Sequence, residues 1–347
     1  MELNLTAEEA QLVDAVRSLL QRNSTPDRVR ASEETGFDPS LWTDLRQLGV
    51  PSMAVADGQT ESATLFQLVL VAEQCGASVA SAPVLEGIVA VRLLARCGDA
   101  AGDLLESVCE GDIIATLSLG QAGDGVPNLV PAGAIAHLVL TMDGDDLVAA
   151  RLNPSGARIE NLGCLPLGVC EPGDGVRTVL ATGSSARSAY AAALTEWKLL
   201  SAAQLTGVSA AALGLGVEYV KSREVFGAPI ATFQTIAHRL ADDATAIDGA
   251  RLLTYKAAWS VDEDRSEGEI LASMAWLFAS ETALEVTRDV LHYHGGYGFT
   301  TEYDIQLYFR KAKAYSLLWG DPKVEYRRLA DLLLVPGCEY VPGGEVT

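Results

Sequence analysis

Basic side chains are scarce in this sequence: 25 Lys and Arg stand against 46 Asp and Glu, a formal net charge of −21 over 347 residues. That balance excludes nucleic acid as a partner, because phosphate contacts need clustered Lys and Arg. An anionic ligand would require a local basic pocket. Cysteine is thinly spread, at Cys75, Cys97, Cys109, Cys164, Cys170 and Cys338, without a CxxC pair and without a histidine at ligand spacing. Thiols scattered in this way read as reduced and structural, and no metal is expected. His292 and His294 share one segment, but alternate residues of a helix diverge. No basic region precedes an apolar run after Met1, so no signal peptide is evident. Nor is any unbroken apolar run seen that is long enough to cross a bilayer. The expectation is a cytoplasmic protein without a membrane partner.

What is present is a globular composition, 49% hydrophobic and 20% charged, enough for a large core in two or three domains. Residues 1–111 read as a helical domain. Thr6-Ala7-Glu8-Glu9 forms a capping box, and Leu5, Leu12, Val16 and Leu19 continue a helical face. Asp38-Pro39-Ser40 starts a helix that carries Trp42, Leu45 and Leu48 and stops at Gly49-Val50-Pro51. Further helices are predicted over about 63–75, 85–95 and 101–109. Composition shifts at Ile113, where β-prone runs begin at 113–119, 136–141, 147–152 and 176–181. Asp143-Gly144-Asp145-Asp146 is the hairpin turn among them. The expected division is a small β-domain over 112–186, a helical bundle over 187–335 with long helices from near Ser188, and a tail at 336–347. The fold class is mainly α with a small β-domain.

The most informative stretch is 219–242, read as a helix end, a tight turn and a helix start. Residues 199–221 are rich in Ala and Leu, with Gly207, Gly214 and Gly216 as the weak helix formers. Phe226-Gly227-Ala228-Pro229 breaks this helix, and Thr232 is a reasonable N-cap for the next, whose apolar face runs through Ile236, Leu240, Ala244 and Ile247. The bend gathers Arg223, Phe226 and Gln234. A guanidinium fork beside a helix N-terminus suits a phosphate, Phe226 could cover an aromatic ring, and Gln234 could read a base edge. The same spacing also fits an ordinary helical hairpin with no ligand.

A resemblance bears on that choice. The pattern R-x-x-F-G-x-P-I-x-x-F-Q at 223–234, followed by His238 and Leu240-Ala241-Asp242, resembles the acyl-CoA dehydrogenase signature. A second block, His294-Gly295-Gly296-Tyr297-Gly298-Phe299 and then Arg310-Lys311-Ala312-Lys313, is similar to the same family. The resemblance implies three parts: N-terminal helices, a middle β-domain reduced here, and a C-terminal four-helix bundle with a tetramer core. It implies α,β-desaturation of an acyl-CoA thioester by FAD and a carboxylate base, with an external electron acceptor. It also implies that Arg223, Phe226, Gln234, His292, Gly295 and Gly296 meet the pyrophosphate and adenine of a neighbouring subunit's FAD. His292 stands where a glutamine is more usual.

The chain departs from the family in two places. The T-E-P-x-x-G-S-D-like and G-x-K-x-W-I-T-like strands that hold the flavin ring are missing; the matching region is Ala115-Thr116-Leu117-Ser118-Leu119-Gly120 and residues 121–124. Trp319 and Trp197 occupy the two positions where family members carry the base, with Lys198 in place of an arginine. Glu196 and Asp321 lie nearby but out of register, and each is expected as a solvated carboxylate. The pattern is similar to the short, degenerate subunit of bacterial α2β2 steroid-catabolic enzymes. It implies a heterotetramer in which a full-length partner supplies the base and the flavin-ring pocket, on an acyl-CoA substrate that is steroid-derived by analogy alone. Two other readings stand: a self-sufficient homomeric dehydrogenase using Glu196 or Asp321, and a non-catalytic scaffold.

Overall fold

The computed structural model describes residues 4–56, 61–111, 113–120, 128–152, 158–170 and 176–334. The tail at 336–347 and residues 121–124 of the first β-loop lie outside them.

Six helices come first: α1 (Ala7–Asn23), α2 (Pro26–Ala31), α3 (Pro39–Gln47), α4 (Leu65–Ala77), α5 (Val84–Arg96) and α6 (Asp103–Glu110). Thr6 and Glu9 form the capping box of α1, and Thr64 with Gln67 forms another on α4. The buried stripe of α1 is Val13, Val16 and Leu20; Leu12 and Leu19 flank it and Leu5 is exposed, so the expected face is rotated. Asp38 caps α3 through the Leu41 N–H and holds Arg28 of α2 at 2.8 Å. That pairing explains α2, a six-residue helix too short to leave a periodic signal.

The small sheet has the order β1-β3-β4-β6, from β1 (Ala115–Leu117), β3 (Leu138–Asp143), β4 (Asp146–Arg151) and β6 (Arg177–Thr182). The strands β2 (Asn128–Val130) and β5 (Gly168–Cys170) form a separate antiparallel pair that the sequence pattern did not show. Asp143 faces Asp146 across the expected hairpin, and Gly144 supplies the positive φ of 62° that its turn requires.

The rest is helical: α7 (Gly183–Ser222), the two-residue strands β7 (Glu224–Val225) and β8 (Ala228–Pro229), then α8 (Gln234–Asp262), α9 (Gly268–His294), α10 (Ile305–Tyr315) and α11 (Pro322–Leu334). Helix α7 starts before Ser188 because β6 runs straight into it at Gly183. It is the spine of the molecule. Residues 193–209 are buried on every side, between α4 and α5 on one flank and α9 and α10 on the other. One window of this helix is long and apolar enough to span a bilayer, which the sequence reading did not credit. Its burial, 67% of that window, accounts for the composition, since a core helix is apolar all round.

The glycines of α7 are not equivalent. A Cβ added at Gly207 would lie 2.0 Å from the Glu73 carbonyl oxygen, and one at Gly76 of α4 would lie 1.9 Å from that of Gln204. The two helices therefore touch backbone to backbone through a reciprocal glycine notch. Gly216 packs on Val290, whereas Gly214 faces open space. Gly207→Ala is expected to destabilise the chain by about 2 kcal/mol or more through overpacking. Gly214→Ala should stabilise it by up to about 1 kcal/mol through helix propensity. Urea unfolding of the two variants checks the opposite signs.

Candidate functional site at the two ends of the central helix

The first group of candidate residues sits where α7 ends. Arg223 is its C-cap, in extended backbone, and its carbonyl accepts from the Ile230 N–H at 2.8 Å. Strands β7 and β8 close a two-residue hairpin over Phe226 (φ 56°) and Gly227 (φ 81°). A turn with positive φ at both positions suits Asn-Gly, and an aromatic residue there is strained by about 1–3 kcal/mol. Phe226 is also 96% exposed, so nothing within the chain repays that strain. The Arg223 side chain is exposed and makes no ion pair among the described residues. Thr232 is not the N-cap of α8: its hydroxyl donates to the Pro229 carbonyl at 2.7 Å. Phe233 takes that place, and no side chain caps the helix, so the turn presents uncapped N–H groups beside Arg223 and Gln234.

The second block lies at the same end of the bundle. His294 closes α9, and its ring stacks on Tyr219 in the last turn of α7, with centroids 3.9 Å apart. Tyr303 packs edge-on against both rings. Burial pushes the His294 imidazole below its ordinary value, and the neutral ring donates from Nδ1 to the Val290 carbonyl at 2.8 Å. This aromatic clamp joins the two blocks, and neither periodicity nor spacing flagged Tyr219. His292, Gly295 and Gly296 are exposed beyond it, and a Cβ on either glycine would meet nothing within 4 Å. Arg223, Phe226, Gln234, His292, Gly295 and Gly296 thus share one end of the bundle, and all six are exposed.

The second group of candidates is elsewhere. Trp197 and Trp319, distant in sequence, stack with centroids 5.8 Å apart and rings 24° from parallel. The two alternative base positions therefore occupy one place, and indoles fill it. Trp276 forms a third wall at 6.5 Å. Lys198 lies behind: its Nζ is 4.3 Å from the Trp319 ring centre and donates to Glu325 at 2.5 Å and Ser273 at 3.0 Å. Trp319 donates to the same Glu325 at 3.1 Å. Burial raises the Glu325 carboxyl, but Lys198 more than offsets this and holds it below the usual carboxylate range.

The two neighbouring carboxylates differ in their surroundings. Glu196 is not solvated, contrary to the sequence reading; it is 1% exposed and held by Arg92 at 2.9 Å and by Arg96. Asp321 is exposed and accepts from the Lys323 N–H at 3.0 Å at the start of α11. From Trp197 to the turn at Arg223 the axis of α7 covers about 39 Å at 1.5 Å per residue. The two groups of residues are well separated along one helix, Trp197 in its buried middle and Arg223 at its C-terminal end, and no single small ligand touches both within the chain.

Phe226→Asn should raise the stability of the isolated chain by about 1 kcal/mol, because Asn tolerates the left-handed region. A loss of stability in chemical denaturation would show that the ring has a partner inside the chain.

Comparison with known proteins gives consistent matches. Residues 188–334 match the family model "Acyl-CoA dehydrogenase, C-terminal domain". The acyl-CoA dehydrogenase IpdE2 of Mycolicibacterium smegmatis is 30% identical over 333 residues, covering 93% of this chain and 98% of the relative. Among solved structures, the Tcur3481–Tcur3483 steroid ACAD, in a variant form, matches with a TM-score of 0.82 and 28% identity over 94% of this chain and 97% of the other. The ChsE4–ChsE5 complex of Mycobacterium tuberculosis matches with a TM-score of 0.79 and 25% identity over 97% and 100%.

Proposed function

This chain belongs to the acyl-CoA dehydrogenase family, and from that premise we propose that it is the subunit of a heteromeric enzyme that completes a partner's FAD site while lacking a base of its own. The carrying observation is the separation along α7. The built, strained and exposed turn at Phe226 lies at its C-terminal end, and the base positions, filled by Trp197 and Trp319, lie about 39 Å away along the buried middle of the helix. A cofactor held at the turn therefore reacts in another chain. The matches to the Tcur3481–Tcur3483 and ChsE4–ChsE5 proteins, whose names describe two-component assemblies, support the reading.

The residues present fit an extended anionic dinucleotide. Arg223 offers a guanidinium fork to the pyrophosphate, and the uncapped start of α8 adds N–H donors of the right polarity. The bare backbone at Gly295 and Gly296 admits close approach, since a side chain at either would stand in that open face. Phe226 covers an adenine ring, Gln234 reads its polar edge, and His292 donates a further hydrogen bond. FAD, when bound, accepts the hydride in α,β-desaturation of an acyl-CoA thioester and passes electrons to an external acceptor. This chain's part is to bind and orient. The proton leaves to a carboxylate of the full-length partner, because Glu196 is committed to two arginines here. A polycyclic acyl group such as a steroid side-chain ester fits a heterotetramer in which only one subunit of each pair keeps an acyl site.

Co-expression with a full-length homologue tests the proposal through flavin absorbance and native mass. The expected product is a yellow heterotetramer with one FAD per pair of subunits, and Arg223→Ala should strip most of that flavin without dissolving the assembly. Unchanged flavin in the Arg223→Ala assembly, or a lone chain that carries one FAD each, would overturn it; the former outcome is what a pure scaffold predicts.

A further inference from the structure

A small, partly open chamber of about 30 Å³ lies between the α4–α5 loop, the β2–β5 region, α7 and α10. Its lining is unlike the rest of the core: Ser81, Glu86, Gln204, Lys311 and Tyr315 all face it. Lys311 is only 4% exposed. Its ammonium has no hydrogen bond and no ion pair among the described residues; the Tyr315 ring lies 5.9 Å away, and Cys164 and Glu33 act on it only at longer range. Glu86 lines the same chamber without coming within ion-pair distance of it. A buried ammonium without an acceptor is costly, so such a group either loses its proton or awaits a partner. Burial pushes Lys311 down only to about 8, so the charge persists at neutral pH. Burial also lifts the Glu86 carboxyl to about 7, so a large share of it is a neutral acid able to donate. Beside the chamber, and sharing Pro131, Leu167 and Leu318 with it, is an apolar groove of about 200 Å³ walled by Leu129, Leu162 and Leu317.

We propose that chamber and groove form one receptor for a small apolar molecule that ends in a carboxylate, with the carboxylate on Lys311 and the apolar body along the leucines. The ligand supplies the acceptor that Lys311 lacks among the described residues, Lys313 on the wall of the groove adds a second positive charge for an anion, and the groove replaces exposed leucine surface with contact. This site lies in the chain's own β-domain face, far from the Arg223 turn, and stands independently of the shared-flavin reading.

Calorimetric titration of the full-length chain, in its native assembly, tests the proposal with 4-phenylbutyrate and its neutral counterpart 4-phenylbutyramide. The acid should bind at least about tenfold more tightly than the amide, as a charge-assisted contact in a desolvated site allows. Lys311→Met should reduce the acid to the level of the amide, leave the amide unchanged, and keep the melting temperature, since a buried unpaired charge is removed. Equal affinities for acid and amide, no saturable binding of either, or an acid preference retained in Lys311→Met would each overturn the proposal. If Lys311→Met does not fold, the acid-to-amide ratio of the natural chain decides alone. Arg223→Ala should leave that ratio unchanged, which separates failure here from failure of flavin sharing.

Discussion

The backbone contact between α4 and α7 at Gly76 and Gly207 sets the distances on which the rest of the molecule depends. It brings two apolar helices closer than any side chain would allow, and it fixes α7 as the axis around which α5, α8, α9 and α10 pack. Buried on all sides through 193–209, that axis cannot shift without opening the core. Both of its ends are therefore rigidly placed. The upper, C-terminal end carries Arg223 and the Phe226 turn, and Trp197 lies in the buried middle.

Fixing these places apart divides the chemistry. Around Trp197 the interior is filled by three tryptophans, a Lys198–Glu325 pair and Ser273, although the Trp197 and Trp276 indole nitrogens and one Glu269 carboxylate oxygen find no hydrogen-bond partner among the described residues. At the upper end the opposite holds. A strained aromatic residue is held out in solvent, an arginine has no counter-charge among the described residues, and a helix starts without a cap. Cores are selected to be satisfied, and sites that meet another molecule are not.

Charge follows the same division. In a chain of net charge −21, four arginines serve as clamps on buried or half-buried carboxylates: Arg92 and Arg96 on Glu196, Arg251 on Glu73, Arg28 on Asp38. These pairs tie α5 to α7, α8 to α4 and α2 to α3. Glu73 also accepts from Tyr255 at 2.8 Å, so one buried carboxylate joins two helices through two donors. Arg223 on the surface and Lys311 in its pocket have no such ion pair among the described residues.

The sequence by itself determined the helical start, the capping boxes at Thr6, the hairpin at Asp143–Asp146, the turn at Phe226 and the family of the fold. Each of these is a local event: a cap, a two-residue turn or a motif needs only residues a few positions apart. It also placed the two tryptophans at the base positions. Only the tertiary structure decided that Trp197 and Trp319 are one place, that Glu196 is a clamped ion and not a solvated one, and that Tyr219 locks His294 across two helices. It also decided the stripe of α1 and the short strands β2 and β5, whose three-residue runs carry no period. These facts depend on contacts between residues far apart in the chain, where packing rather than propensity selects the outcome. A one-residue change of register on a helix turns a side chain by about 100°, so the direction in which Glu196 points became known only when α5 lay beside α7.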